Sequence, residues 1–244
     1  MKKPEYLYEK NLLKPITVLN IIDRAVADKK GFSLARFGIG EISYLSWPEN
    51  TWLVQDFKRY EKYAGVFSSY QKIKAELATA LDKADVVGVI IPSRLEFWAK
   101  QTKTVFQQLN FTPSTCCCAW IFQDYLKQTD IWPWLRKKKV ILIGRRVKEA
   151  STIFHREGVQ VVDTVAINSD IEIENVVNIV SAIDDWEVAL ISAGIPATIL
   201  APKIANATQK VAIDFGHSLD MLIDGEHFDH AKTVLEWKKN NIRK

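Results

Sequence analysis

Cysteine is scarce in this 244-residue chain, and its three copies are consecutive: Cys116, Cys117 and Cys118. That spacing suits neither a disulfide framework nor a Cys-x-x-Cys metal site. Free cysteine packs as a small hydrophobe, so these residues read as part of a buried strand in a reducing compartment. Long apolar runs are also missing, and none approaches the roughly 18 residues that span a bilayer. The opening MKKPEYLYEKNLLKP is broken by charges and prolines, unlike a cleavable secretory leader. A cytoplasmic protein is expected, at most peripheral to a membrane. There is no internal repeat, low-complexity tract or Gly/Ser linker, which favours one domain over residues 1–244. No G-x-S-x-G elbow supports a serine hydrolase, and GIGEIS lacks the third glycine of a dinucleotide fingerprint.

Charge of either sign is not in large excess. Lys and Arg number 33 against 29 Asp and Glu, leaving +4, too mild a balance to point to nucleic acid. The local basic runs, LRKKK at Leu135 to Lys139 and the tail KKNNIRK, read as solvated surface.

What is present is alternation. Short apolar runs without period-2 patterning predict strands covered on both faces at Phe32–Phe37, Val86–Ile91, Ser114–Cys118, Val140–Ile143, Val159–Ile167, Val188–Ser192 and Val211–Phe215. Helical spacing fills the gaps at Tyr70–Lys83, Glu96–Leu109, Trp120–Lys127, Val147–Arg156, Ile173–Ile183 and Ala197–Ala207. A helical lead-in covers the first thirty residues, and a closing helix runs over Phe228–Lys239, within a C-terminal stretch from 224 to 244. This order predicts an α/β fold, a mostly parallel sheet with helices on both faces.

Ligands of open α/β sheets bind outside the carboxyl ends of the strands, so the residues following each strand are the candidates. They include Gly38, Gly40 and Glu41; Ser93 and Arg94; Gly144 and Arg145; Ser192 and Gly194; and His217 and Asp220. Arginine in so many strand-end turns suggests an anion, most simply a phosphate, which its paired donors match. Each feature also has a plain structural reading. Glu41 can complement a helix start, Pro196 is ordinary first-turn punctuation, and Ser218 or Asp220 can cap a helix. Asp214, inside an apolar strand, needs a partner, and with His217 it is a candidate base toward a hydroxyl. Trp132-Pro133-Trp134 reads as a hydrophobic plug. His155, His227 and His230 carry no assigned role.

Taken in order, SLARFGIGE, VVGVIIP, KKVILIG, ALISAGIPATILA and VAIDFGHSLD resemble the GT-D type glycosyltransferases over roughly residues 30 to 222. The resemblance implies a Rossmann-like fold distinct from GT-A and GT-B. It also implies a nucleotide diphosphate sugar donor, with uridine diphosphate sugars foremost, and a glycan or protein-linked acceptor. The family's first motif reads approximately R-[FY]-G-D-G-E, whose Asp-x-Glu carboxylates hold a divalent cation, Mn or Mg, with the donor diphosphate. Arg36, Gly38, Gly40 and Glu41 match, and Ile39 stands at the aspartate position. Either Glu41 acts with another carboxylate, or arginines neutralise the diphosphate, or the chain binds without catalysing. Carried over, Arg36 and Arg94 meet phosphates, Glu41 meets any metal, and Asp214 or His217 lies near the acceptor. Gly38, Gly40, Ser93, Gly144, Arg145, Ser192, Gly194 and Asp220 line the substrate site. The rivals are a non-catalytic nucleotide- or glycan-binding module assisting a partner glycosyltransferase, and another Rossmann-like enzyme such as a methyltransferase. The small size leaves little room for a separate acceptor domain, which suggests a partner transferase or a homo-oligomer.

Overall fold

The seven apolar runs all become strands, and their residues alternate between two packed faces. The computed structural model describes residues 12–241; residues 1–11 of the expected lead-in and the last three residues of the tail lie outside that range. The strands are β1 (Leu12–Leu13), β2 (Phe32–Arg36), β3 (Val86–Val89), β4 (Cys116–Cys118), β5 (Lys139–Gly144), β6 (Gln160–Val165), β7 (Val188–Ser192) and β8 (Val211–Asp214). They form one eight-stranded sheet in the order β1-β4-β3-β2-β8-β7-β5-β6. Every pairing is parallel. Leu34, Leu142, Leu190 and Ile213 enter the core on one face. Ala35, Ile143, Ile191 and Ala212 enter the core on the other. Both faces are therefore covered, which is why the strands read as continuous apolar runs.

The helices sort by face. Helices α1 (Pro15–Ala27), α6 (Ile121–Leu126), α7 (Trp132–Leu135), α8 (Val147–Arg156) and α11 (Ser218–Asp224) cover one side. The other side holds α2 (Ile39–Leu45), α3 (Thr51–Phe57), α4 (Tyr70–Lys83), α5 (Pro92–Gln108), α9 (Ile173–Ser181) and α10 (Ile195–Thr208). Helix α10 is apolar on nearly every side, because it packs between the sheet and the outer helices α4 and α9. The chain ends its described part in α12 (His230–Asn241). No described helix is long and apolar enough to cross a membrane.

Three elements were not expected: β1, α3, and α7, where the plug residues Trp132 and Trp134 form a single helical turn. The plug itself is real, with Trp132 edge-on to Phe154 and Trp134 donating to Asp23. Cys116 and Cys117 are buried in β4 with no disulfide. Helix α5 starts at Pro92, four residues earlier than helical spacing suggested, because Leu95 breaks the pattern with a non-helical φ of −146° and ψ of 86°.

Topology sets the position of the site. The chain lays β2, β3 and β4 outward in one direction, crosses over for β5 and β6, then fills β7 and β8 in beside β2. The connections therefore diverge around the junction of β2 and β8, the switch point where open α/β sheets leave a crevice.

Candidate functional site

The turns leaving β2, β5, β7 and β8 enclose a cavity of about 1140 Å³. Its remaining walls come from α3, the segment 58–64, Trp98 of α5, Trp120 and α12.

One corner is built around Arg36, at the end of β2. Its Nη2 donates to Asp214 Oδ1 at 2.8 Å and its Nη1 to the Ala119 carbonyl at 3.0 Å. Asp214 also receives the Arg36 backbone N–H at 3.3 Å, which ties β2 to β8 through charge as well as ladder hydrogen bonds. Only 2% of the Asp214 side chain is exposed. Gly216 lies against the guanidinium so closely that a Cβ there would fall 1.6 Å from Nη2, and its φ of +50° suits glycine. The partner that a carboxylate inside an apolar strand requires is thus an arginine 178 residues away in sequence.

Glu41 sits beside this pair in the first turn of α2. Its Oε2 accepts the Gly38 N–H at 2.9 Å, and its Oε1 lies 3.3 Å from Thr198 Oγ1. That hydroxyl is also 3.0 Å from the Arg36 carbonyl and 3.2 Å from Asp214 Oδ2. One hydroxyl proton cannot serve three acceptors. Burial first, and then the nearby Asp214, pushes the Glu41 carboxyl up to about 7, so that a proton on Glu41 supplies the second donor near neutral pH. A divalent cation fits poorly here. Hard cations want several oxygen ligands, whereas Ile39 offers none and both Glu41 oxygens are already engaged. Among the described residues no three His, Cys, Asp or Glu side chains gather to hold a metal.

The opposite corner begins at the end of β5 with two adjacent arginines in unlike states. Arg146 is fully engaged: it donates to Asp224 at 2.7 and 2.9 Å, to Glu149 at 2.9 Å and to Asp220 at 3.1 Å. Arg145 has no carboxylate partner among the described residues. Its guanidinium carbon lies 4.8 Å from the centre of the Tyr63 ring and 5.7 Å from that of Trp237. Its buried Nη1 has no hydrogen-bond partner among the described residues. Burial pulls its pKa below the ordinary arginine value, while Tyr63 and Asp220 act the other way.

Tyr63 is held in place by its loop. Asp170 accepts the N–H groups of Phe67 at 2.6 Å and Ser68 at 3.3 Å, and Ile195 donates to the Ala64 carbonyl at 3.0 Å. Gly194 lets the turn after β7 approach that carbonyl, since a Cβ there would lie 2.5 Å from it. The Tyr63 ring stacks on His217 with centroids 6.3 Å apart, and His230 from α12 meets His217 edge-on at 4.5 Å. His217 Nδ1 is 2.9 Å from Asp220 Oδ2. Burial raises the Asp220 carboxyl, but the bonds from His217 and Arg146 outweigh it and hold the group below its ordinary value.

The structure brings Arg36, Gly38, Gly40, Glu41, Arg145, Ser192, Gly194, His217 and Asp220 to the cavity wall. It does not bring Ser93, Arg94, Gly144 or Asp214 there. Ser93 is exposed on α5, Arg94 pairs with Asp124, and Gly144 ends β5 against the Ser192 carbonyl. Asp214 lies beneath Arg36, without access to an acceptor. Sequence reasoning missed Tyr63, His230 and Trp237. Their only sequence signal is an aromatic ring in an otherwise polar segment.

A model of the GT-D fold-like domain family matches residues 13–222. Two solved structures of the domain of unknown function 1792, one of them described as having a distinct glycosyltransferase fold, each superpose with a TM-score of 0.62. They share 14% and 15% identity, and each alignment covers 91% of this chain and 84% of the other. A third, described as a new glycosyltransferase of the same domain class from Streptococcus sanguinis, gives 0.60 at 15% identity, covering 89% and 86%. No curated protein matches the chain. With 210 matched residues and an all-parallel sheet that superposes on glycosyltransferase folds, the chain belongs to the GT-D fold-like domain family.

Proposed function

We propose that this protein transfers a sugar from a nucleotide diphosphate sugar, with uridine diphosphate sugars as first candidates, to a hydroxyl of a glycan or protein-linked acceptor. The observation that carries this reading is Arg145, a cation without a carboxylate partner among the described residues, in the wall of a cavity at the strand ends of a glycosyltransferase fold. A buried polar group without a partner is costly, and a phosphate would relieve that cost. Trp98 and Trp120 in the cavity lining are the aromatic rings proposed to meet the base and sugar.

The reaction moves few atoms. The acceptor oxygen bonds to the anomeric carbon, the bond from that carbon to the phosphate oxygen breaks, and its electron pair leaves with the diphosphate. The acceptor proton goes to His217. With Nδ1–H donated to Asp220, Nε2 keeps its lone pair as a base, and Asp220 stabilises the imidazolium that forms. Asp214 is assigned to holding Arg36, and Arg36 to shaping the wall.

A melting-temperature screen against nucleoside diphosphates and their sugars, with and without manganese, tests the reading, because a ligand selective for the native state raises the midpoint. A shift with uridine or another nucleoside diphosphate supports it. A shift with adenosyl compounds alone would favour a methyltransferase. The reduced carboxylate set around Glu41 supports a second reading, a binder that assists a partner transferase. Release of nucleoside diphosphate from the sugar donor separates the two, since a pure binder releases none.

A further inference from the structure

The donor reading leaves open how the charge of the departing diphosphate is met, and the two corners of the cavity answer differently. At the β2 corner the oxygen donors are few and occupied: Glu41 holds the Gly38 N–H and faces Thr198, Asp214 holds Arg36, and Ile39 brings no oxygen. Arg36 is likewise engaged through both terminal nitrogens. At the β5 corner Arg146 is neutralised by Glu149, Asp220 and Asp224. A buried Nε of Arg36 also lacks a partner, but among the described residues Arg145 alone of the three has no carboxylate on its guanidinium, and two aromatic rings lie against it. Aromatic faces stabilise a cation while leaving its in-plane N–H groups free for an anion. Lys238 of α12, over the Tyr60 ring, adds a second cation to the cavity lining.

Resting on the donor reading above, we infer that Arg145 is the counterion of the donor diphosphate, in place of a divalent cation. When the bond to the anomeric carbon breaks, the electron pair stays on the terminal phosphate oxygen and adds one negative charge. Arg145 meets that charge with paired N–H donors, and the site does so without metal. Arg145 is therefore a substrate-contacting residue, whereas its neighbour Arg146 positions Asp220 and α11.

The test is calorimetric titration of the full chain with uridine diphosphate and, separately, with inorganic pyrophosphate. Each titration is run in excess chelator and again in manganese or magnesium. The expected result is binding of equal strength, within about threefold, in both conditions, and a loss of about tenfold or more in Arg145→Met. Arg145→Lys keeps the charge without the fork and is expected to fall between them. Arg145→Met is expected to keep its melting temperature, because an apolar side chain of similar volume replaces an unpaired buried cation. Should that variant fail to fold, the chelator arm on the unaltered chain and Arg145→Lys still decide the matter. Diphosphate binding that appears only with the cation, or survives undiminished in Arg145→Met, would overturn the inference and leave the donor reading intact. Absence of diphosphate binding in every condition would overturn both.

Discussion

The two arginine corners of the cavity are built on opposite rules. Around Arg36 each charge is answered from within the chain: Asp214 meets the guanidinium, the Ala119 carbonyl meets its second nitrogen, and Gly216 clears its space. Around Arg145 the described residues supply aromatic faces and no counterion. The first arrangement is what stability demands of a buried ion. The second lowers stability and is retained where something outside the chain completes it. On the donor reading proposed above, the difference separates a structural arginine from a binding one more sharply than exposure does.

This contrast can be broken or sharpened by substitution. Asp214→Ala should cost the most, about 3–5 kcal/mol, because it strands Arg36 in a largely buried slot. Urea denaturation measures it, and a loss below about 1 kcal/mol would mean that the corner is not held by this pair. Gly216→Ala forces a methyl into the guanidinium and strains a left-handed backbone, for a loss of about 3 kcal/mol. The same denaturation series reads it, and an Arg36→Ala background should recover part of the loss.

Glu41→Gln addresses pH. The folded-state pKa of Glu41, about 7, stands above its ordinary 4.5, so the folded chain binds this proton more tightly than the unfolded chain. Its contribution is present in full below about pH 4.5 and is lost as pH rises to about 7. Relative to the parent, Glu41→Gln should therefore gain up to about 2–3 kcal/mol between pH 4.5 and pH 7 and stay level above that. A difference curve flat with pH would show that Glu41 ionises freely. Arg145→Met should have the smallest effect on folding, less than about 1 kcal/mol, in contrast to Arg36→Met, which leaves Asp214 unpaired.

How much of this was legible in the sequence depends on the range of the interaction. The seven strand runs were readable because burial on both faces leaves a local imprint, as in VILIG and VALIS. Strand β1 was not, since two leucines beside charged residues carry no periodicity, and its pairing partner β4 is a hundred residues away. The strand-end rule placed Glu41, Arg145, His217 and Asp220 on the cavity without reference to any one motif. It could not tell Arg145 from Arg146, which are neighbours in sequence and opposites in partner, because the carboxylates that decide the matter arrive on α8 and α11. For the same reason Asp214 read as a candidate base. Only the tertiary fold reveals the arginine that engages it.

Trp237 lies on a helix that follows the matched family region, yet it shares Arg145 with Tyr63. If the proposed diphosphate binds Arg145, it places a negative charge close to the Trp237 indole. On that proposal, diphosphate titration should change tryptophan emission in the parent chain and change it less in Trp237→Phe, the other seven of the eight tryptophans being common to both.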